Sequence, residues 1–458
     1  MSRMAWVVFI VFLAGTMPHS AGAQMLNARR LGMGGVVTSD NGAARSANVA
    51  FRAVPKGRGY SSIPLPIGLI QYAGDHPTFD SNDPDFNIFE ILDLAANPPL
   101  TLSLSKPSTV SSDISVYIAR DSLLLDLEDV RRAVPKDPME LGGVYHLMGV
   151  GFGIKSFFVA VDPLIHVRNT FDLDPNLRAA LRDAQPFTSD TRYGLSDAGV
   201  AQAAIAWQAG VAARALYVPA PDGNEGDEDD PSADDPRRNG ATALYLGAAP
   251  KYLLGLAYGS AGGAGGVTTG DTLFGSSDPV AFDMTALTRH AEIGGDGGTG
   301  HGFGADLGGV LYWNRFEFGI GVNDFGSEIE WSTTVRRHVY SDSLNEFSTT
   351  TVATDEKFTS RIPATTTINV ARRMGPTTVA ADLVNGELHR QVHLGAETWV
   401  GMLALRGGTY RDTGGRWQWT GGTGLRFGGI GLDLAVATHS RNIEEKRAAE
   451  LSASLTLY

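Results

Sequence analysis

Residues 304–323 read GADLGGVLYWNRFEFGIGVN, two alternating runs on either side of a short centre. Leu307, Leu311 and Trp313 fall on one side of an extended chain and Asp306 on the other. Past Asn314-Arg315, Phe316, Phe318, Ile320 and Val322 alternate with Glu317, Gly319 and Gly321. Successive side chains of a strand point to opposite faces. The stretch is therefore a hairpin with one apolar face, one small or charged face, and aromatics beside its turn.

The same pattern recurs towards the C-terminus. Ile368 and Val370 oppose Asn369 and Ala371, and Val379, Ala381 and Leu383 oppose Asp382. Val392, Leu394, Ala396 and Val400 oppose His393, Glu397 and Trp399. Leu403 and Leu405 oppose Arg406, Leu425 and Phe427 oppose Arg426, and Ile430, Leu432, Leu434 and Val436 oppose Asp433. Such segments following one another through short turns make an antiparallel up-and-down meander.

A soluble sandwich also alternates, but its polar face meets bulk water. Here that face is mostly Gly, Ala and Ser with one charge per strand. Small residues suit the inside of a barrel, where side chains converge. Glu397, Arg406, Arg426 and Asp433, of mixed sign on neighbouring strands, are candidate lumen charges, lining a polar passage or pairing as a structural ladder. The fold class is all-β: an antiparallel up-and-down transmembrane β-barrel of about 14 strands, with 16 the alternative. It carries an N-terminal plug segment and short helical inserts in its loops.

Composition agrees. Of 458 residues 56 are glycine, without a collagen-like period, which suits strands and turns better than helices. The first 23 residues read as a signal peptide, with Arg3, an apolar core Ala5–Ala14 and a small-residue cleavage site Ala21-Gly22-Ala23. Cleavage is expected after Ala23. The remainder carries −14, because Arg3 is the sole charge of the leader in a chain of net −13. Such a surface repels phosphates, so no nucleic-acid partner is expected. The absence of cysteine excludes disulfides, thiolate metal sites and a lipidated cysteine. An exported, cysteine-free chain suits a Gram-negative envelope, and the expected location is the cell outer membrane. Past the leader no run of 18 or more apolar residues spans a bilayer as a helix, but a closed barrel also pairs every amide.

The first half is less regular. Strands are expected at 143–154, 155–162, 200–218 and 241–259, and helices at 87–97, 121–134 and 174–184, the last with Asp174 as N-cap. The organisation is a leader (1–23), a hatch or plug segment (24–56) and a barrel (57–458). Long loops are expected near 74–98, 121–140, 219–240 and 260–301. The final octet, LSASLTLY (451–458), reads as a closing strand that pairs with the first. Tyr458 lies on the parity of Ser454 and Thr456, opposite to the apolar residues.

After the cleavage site, ARRLGMGGVVTSDNGAARSANVAF (28–51) resembles the opening of FadL-like outer-membrane barrels, a group spanning OMPP1/FadL/TodX transporters, PorV-type secretion proteins and TraF-like chains. Ala28, Arg29, Leu31, Gly32, Met33, Gly34 and Gly35 match its glycine-rich motif, and Asn48 stands where an Asn-Pro-Ala-Gly motif begins. Val49-Ala50-Phe51 replaces the rest of that motif. RIPATTTINVARR (361–373), VAADLVNG (379–386), HLGAETW (393–399) and LALRGGTYRD (403–412) are similar to the PorV- and TraF-like end of the group. The resemblance implies that Leu31, Gly32, Met33, Gly34 and Gly35 form a hatch in the lumen. It also implies passive transport of hydrophobic or amphipathic small molecules, or else a PorV-like accessory role towards secreted proteins. A general porin is the third reading. Outer-membrane lipid and lipopolysaccharide, and the barrel-assembly machinery, are the partners such a barrel implies. No cofactor is implied.

Enzyme signatures are missing. Gly295-Asp296-Gly297-Gly298-Thr299-Gly300 fits G-x-G-x-x-G as a string, but dinucleotide binding needs a strand before it and a helix after it, and a Gly-rich strand follows instead. His389 and His393 on a strand lie about 13 Å apart, too far to share a metal. The acidic stretch 222–235 lacks the EF-hand order, and reads as a solvated loop. Neither G-x-S-x-G nor H-E-x-x-H occurs, so no enzyme is expected.

Overall fold

The computed structural model describes residues 27–41, 45–55, 61–65, 114–119, 122–127, 138–146, 150–183, 185–220, 235–271, 280–292, 298–341, 346–388, 390–411, 417–438 and 449–457. The leader, His389, Tyr458, the expected helix at 87–97 and residues 222–234 of the acidic stretch lie outside them. Near the N-terminus come one helical turn, α1 (Ala28–Gly32), and a 3-10 turn (Val49–Arg52). The strands that follow are β1 (Ser61–Leu65), β2 (Ile114–Ala119), β3 (Ser122–Leu127), β4 (Met139–His146), β5 (Val150–Ile154) and β6 (Phe157–Leu173). Helix α2 (Pro175–Arg182) precedes β7 (Phe187–Thr188) and β8 (Arg192–Val218), and α3 (Pro236–Asn239) precedes β9 (Thr242–Thr269). Then come β10 (Val280–Glu292), β11 (Gly300–Trp313), β12 (Phe316–Ser341), β13 (Glu346–Arg361), β14 (Thr365–Met374) and β15 (Thr377–Asn385). The last five are β16 (Arg390–Val400), β17 (Leu403–Arg411), β18 (Trp417–Phe427), β19 (Ile430–Thr438) and β20 (Ala449–Leu457).

Among the described residues seventeen strands form one antiparallel sheet, and β2, β3 and β7 a small second one. Three positions of the wall each hold two successive described strands: β4 and β5 both pair with β6, β10 and β11 with β9, and β13 and β14 with β12. Counting each of these pairs once leaves fourteen positions along the wall among the described residues, the expected number. The last strand pairs with the first, Leu457 with Ser61 through Ala453 with Leu65, as the closing octet implies.

Five two-residue turns lie at one rim, closing Ile154 on Phe157, Trp313 on Phe316, Met374 on Thr377, Val400 on Leu403 and Phe427 on Ile430. Each has a left-handed residue, and Asn314 and Arg315 have positive φ together, the type I′ geometry that matches strand twist. The outward face is the apolar one: Leu307, Leu311, Ile320, Ile368, Leu394, Leu405, Leu432 and Leu434 are exposed, whereas Asp306, Glu317, Asn369, Asp382, His393, Glu397, Arg406 and Asp433 are buried. Outward aromatics bound this belt, Trp313 near the short turns and Phe303 above it. Ten tilted strand residues between them span roughly 25 Å, the height of a barrel's apolar band. Among the described residues no helix is long and apolar enough to cross a membrane.

Three expectations need correction. The helix expected over 121–134 is a strand over Ser122–Leu127, where Leu123 to Leu127 pair with β2 across a tight turn. The loop expected over 260–301 is largely strand. The small residues of GSAGGAGG continue β9 and pair with β10, where bulkier side chains supply the cover: an added Cβ on Gly263 or Gly265 meets Ala286 or Met284. The acidic stretch is not wholly solvated, because Asp235 to Arg237 are buried against the plug. Helix α2 forms as expected, Asp174 Oδ1 accepting from Leu177 N at 2.7 Å with Pro175 in the first turn.

Candidate functional site

Residues 27–41 and 45–55 occupy the barrel interior as a plug, in two halves seated on different parts of the wall. Asn27 caps α1, its Oδ1 accepting from Arg30 N at 3.0 Å. The turn ends at Gly34 and Gly35, both left-handed, with Gly35 N donating back to Arg30 O. That half lies on bare backbone: a Cβ on Gly395 would fall 1.9 Å from Met33 O, and one on Gly408 2.4 Å from Gly34 N. The second half rests on Gly247, Gly308 and Gly321, which sit side by side in register on β9, β11 and β12. A Cβ on Gly308 would fall 2.1 Å from Asn48 Oδ1, and one on Gly321 2.1 Å from Ala47 O. The inward glycines are thus the bed on which the plug lies.

Polar groups on the wall tie down the plug backbone. His393 Nδ1 donates to Gly34 O at 2.7 Å, which fixes the tautomer, and Val37 N donates to Asp382 Oδ2. Asn48 caps the 3-10 turn and donates through Nδ2 to Gly309 O at 3.1 Å. Asn323 Nδ2 donates to Ser46 O at 2.6 Å. Ser39 N donates to Glu317 Oε1 at 3.1 Å, and Asn369 Nδ2 and Tyr312 hydroxyl hold the same carboxylate. Around these, Val37, Ala47, Ala50, Phe51 and Val54 pack with Tyr245, Val310 and Tyr312 as one apolar core.

The candidate lumen charges split three to one. Glu397 Oε2 accepts from Arg406 Nε at 2.7 Å, and Arg406 Nη1 lies 2.7 Å from Asp433 Oδ1. Arg29 of the plug completes the set, 2.7 Å from Glu397 Oε1 and 3.0 Å from Asp40 Oδ2. The result is an alternating row, Asp40–Arg29–Glu397–Arg406–Asp433, buried from plug to wall. Arg426 does not join it: it sits at the β18–β19 turn, where Nε donates to Gly428 O at 3.2 Å. Burial alone would raise the Asp40 carboxyl, but Arg29, and then Arg237, hold it down at about 2. Its contribution is therefore complete above its ordinary 3.8 and lost as pH falls through about 2.

A second charged cluster sits higher, where the wall is kinked. Asn323 and Asp324 both point inward, Asp324 and Gly326 have positive φ, and β11 slips register between Phe303 and Leu307. Lys251 Nζ, fully buried, lies 2.6 Å from Asp306 Oδ1 and 2.7 Å from Asp324 Oδ1. His146 reaches from β4 to Asp324 Oδ2 at 3.0 Å and to Asp162 at 2.7 Å. The cluster joins strands far apart on the wall. Lys251→Met leaves two adjacent buried carboxylates without their ammonium, and about 3–5 kcal/mol of stability should go. Urea unfolding of the reconstituted barrel measures this, and an unchanged midpoint would exclude a cohesive role for the cluster.

Sequence reasoning placed Asp306, Glu317, Asp382 and His393 on the inner face without seeing what they hold. Arg29, Lys251, Asp324, His146 and Arg237 were missed. The Asn323-Asp324-Phe325-Gly326 run, turn-like inside a strand pattern, was the available signal for the kink.

No family model matches the chain, and no curated protein matches it. Among solved structures, the P pilus usher PapC translocation pore is similar at a TM-score of 0.18 and 8% identity, over 70% of this chain and 95% of that one. A mutant of TodX, a monoaromatic hydrocarbon channel, is similar at a TM-score of 0.31 and 10% identity, over 75% of this chain and 86% of that one. The Pseudomonas putida toluene transporter TodX gives 0.22 and 11% over 70% and 88%.

Proposed function

We propose that the protein is an outer-membrane barrel for passive passage of hydrophobic or amphipathic small molecules past a seated plug. One observation carries this reading. On β6, β8, β9 and β12, away from the short-turn rim, Leu164, Ala206, Leu253, Tyr258, Ile329 and Trp331 pack as a buried apolar cluster on the inner side of the wall. A water-filled barrel presents polar side chains inward, so an interior filled by this apolar cluster disfavours a general porin and is compatible with apolar cargo. The short turns mark the periplasmic side. Reconstitution in lipopolysaccharide-containing vesicles with a fluorescent fatty acid and a fluorescent sugar tests it. The fatty acid should equilibrate faster than in protein-free vesicles and the sugar should not; impermeability to both sinks the reading.

A scaffold role, of the PorV kind, is the second reading. It is favoured by the part of β8, β9, β10, β12 and β13 that continues beyond Phe303. There Leu195 and Met284 flank Gly265 in register, and with Phe347, which pairs with half-buried Tyr340, they make an exposed row beyond the apolar belt. Sealed vesicles together with a stable complex formed through that row would favour it.

A further inference from the structure

The two halves of the plug are held differently. The first, up to Val37, is tied to wall strands through Glu397, His393, Asp382 and Thr420. The second is also tied to α3, which belongs to the long connection between β8 and β9 at the short-turn rim. Asp235 caps α3: its Oδ1 accepts from Arg237 N at 3.0 Å and Nε at 2.7 Å, and its Oδ2 from Nη2 at 2.9 Å. The carboxylate therefore aims the guanidinium as a fork. Asn239 Nδ2 donates to Tyr217 hydroxyl at 3.0 Å, which fixes the far end of α3 to β8.

From that base Arg237 reaches the plug at two points sixteen residues apart in the chain. Nη2 donates to Pro55 O at 2.7 Å and Nη1 to Ser39 Oγ at 3.3 Å. Both Arg237 and Asp235 are buried. Ser39 itself is bound by Tyr312 hydroxyl at 2.6 Å and by Glu317, so the fork joins a network shared by plug and wall.

We propose that Arg237 is a positioning residue that staples the plug at Ser39 and at Pro55, so that α3 holds this half seated. The inference goes beyond the transport reading, because it holds equally for a sealed barrel.

The chain has no cysteine, so single cysteines report cleanly. Ala47→Cys marks the second half, on Gly321, and Val36→Cys the first. Each is placed in the otherwise native full-length protein and in Arg237→Ala, reconstituted, and labelled with a maleimide. With Arg237→Ala the labelling rate at position 47 should rise about tenfold or more, equivalent to about 1.4 kcal/mol of opening. The rate at position 36 should not change. Arg237→Lys, which keeps the charge and loses the fork, should fall between. Asp235→Asn, which keeps the cap but releases the guanidinium, provides a second variant should Arg237→Ala fail to fold, and should also raise labelling at 47. No change at 47, or an equal rise at both positions, overturns the proposal. Either result leaves the vesicle permeability test unaffected.

Discussion

Alanine at both Gly395 and Gly408 should unseat the first half of the plug, while alanine at Gly407 leaves it in place. The three glycines differ only in what lies over them. An added methyl at 395 meets Met33 O and C at 1.9 and 2.8 Å, and one at 408 meets Gly34 N at 2.4 Å and Met33 C at 2.5 Å. These are backbone atoms on both sides, so no rotamer change relieves them. At 407 nothing lies within 4 Å, because that residue faces outward. Overpacking costs about 1–3 kcal/mol per site. Lifting α1 and its tail also withdraws Leu31, Met33 and Val36 from burial, at about 1.5–3 kcal/mol each for a full transfer. A plug that cannot reach its bed also loses the Gly34 and Val37 hydrogen bonds. Trypsin reads the outcome, since Arg29 and Arg30 are buried in the native protein. Cleavage there should appear in Gly395→Ala/Gly408→Ala, with the wall intact, and not in Gly407→Ala. Equal resistance in all three proteins would mean that the glycines are not the bed.

The same glycines mark how far the sequence could be read. Alternation alone assigned the two faces of the C-terminal strands, because each strand has an apolar row towards lipid and a small row inward. What the small row was for could not be read: a lumen that is empty and one filled by chain leave the same pattern on the wall. The plug came from the resemblance of residues 28–35, not from periodicity. Alternation also fails where it matters most chemically. At the kink Asn323 and Asp324 both turn inward, so a strict period of two places Asp324 towards lipid and hides its contacts with Lys251 and His146. Partners such as Arg29 and Glu397 lie 368 residues apart. Their pairing depends on how the plug seats against the wall, which no local signal encodes. Strand β10 escaped because its neighbour in β9 is mostly Gly and Ala, whose strand character comes from cross-strand cover and not from its own side chains.

Arg29→Met should release the plug more completely than any surface change. Arg29 is the cation that joins the plug to the Glu397–Arg406–Asp433 row, and it holds Glu397 through Nη2 at 2.7 Å and Nε at 3.0 Å. The five groups alternate in sign and sum to one negative charge. Removing Arg29 leaves three carboxylates with one guanidinium, and Asp40 loses its nearest cation inside the barrel. Breaking a buried pair in this way costs about 3–5 kcal/mol, mostly as the penalty for the charge left behind. Glu397→Met has the converse effect, leaving Arg29 and Arg406 facing each other with nothing between them. If uncompensated charge is the cause, Arg29→Met/Glu397→Met should be milder than the sum of the single changes, with about 0.5–3 kcal/mol of coupling. Arg406 then keeps Asp433, and two apolar side chains fill the gap. Hydrogen exchange over residues 28–41 gives the opening free energy in all four proteins. Strict additivity would show that Arg29 and Glu397 act independently, and that something other than this charge row holds the plug.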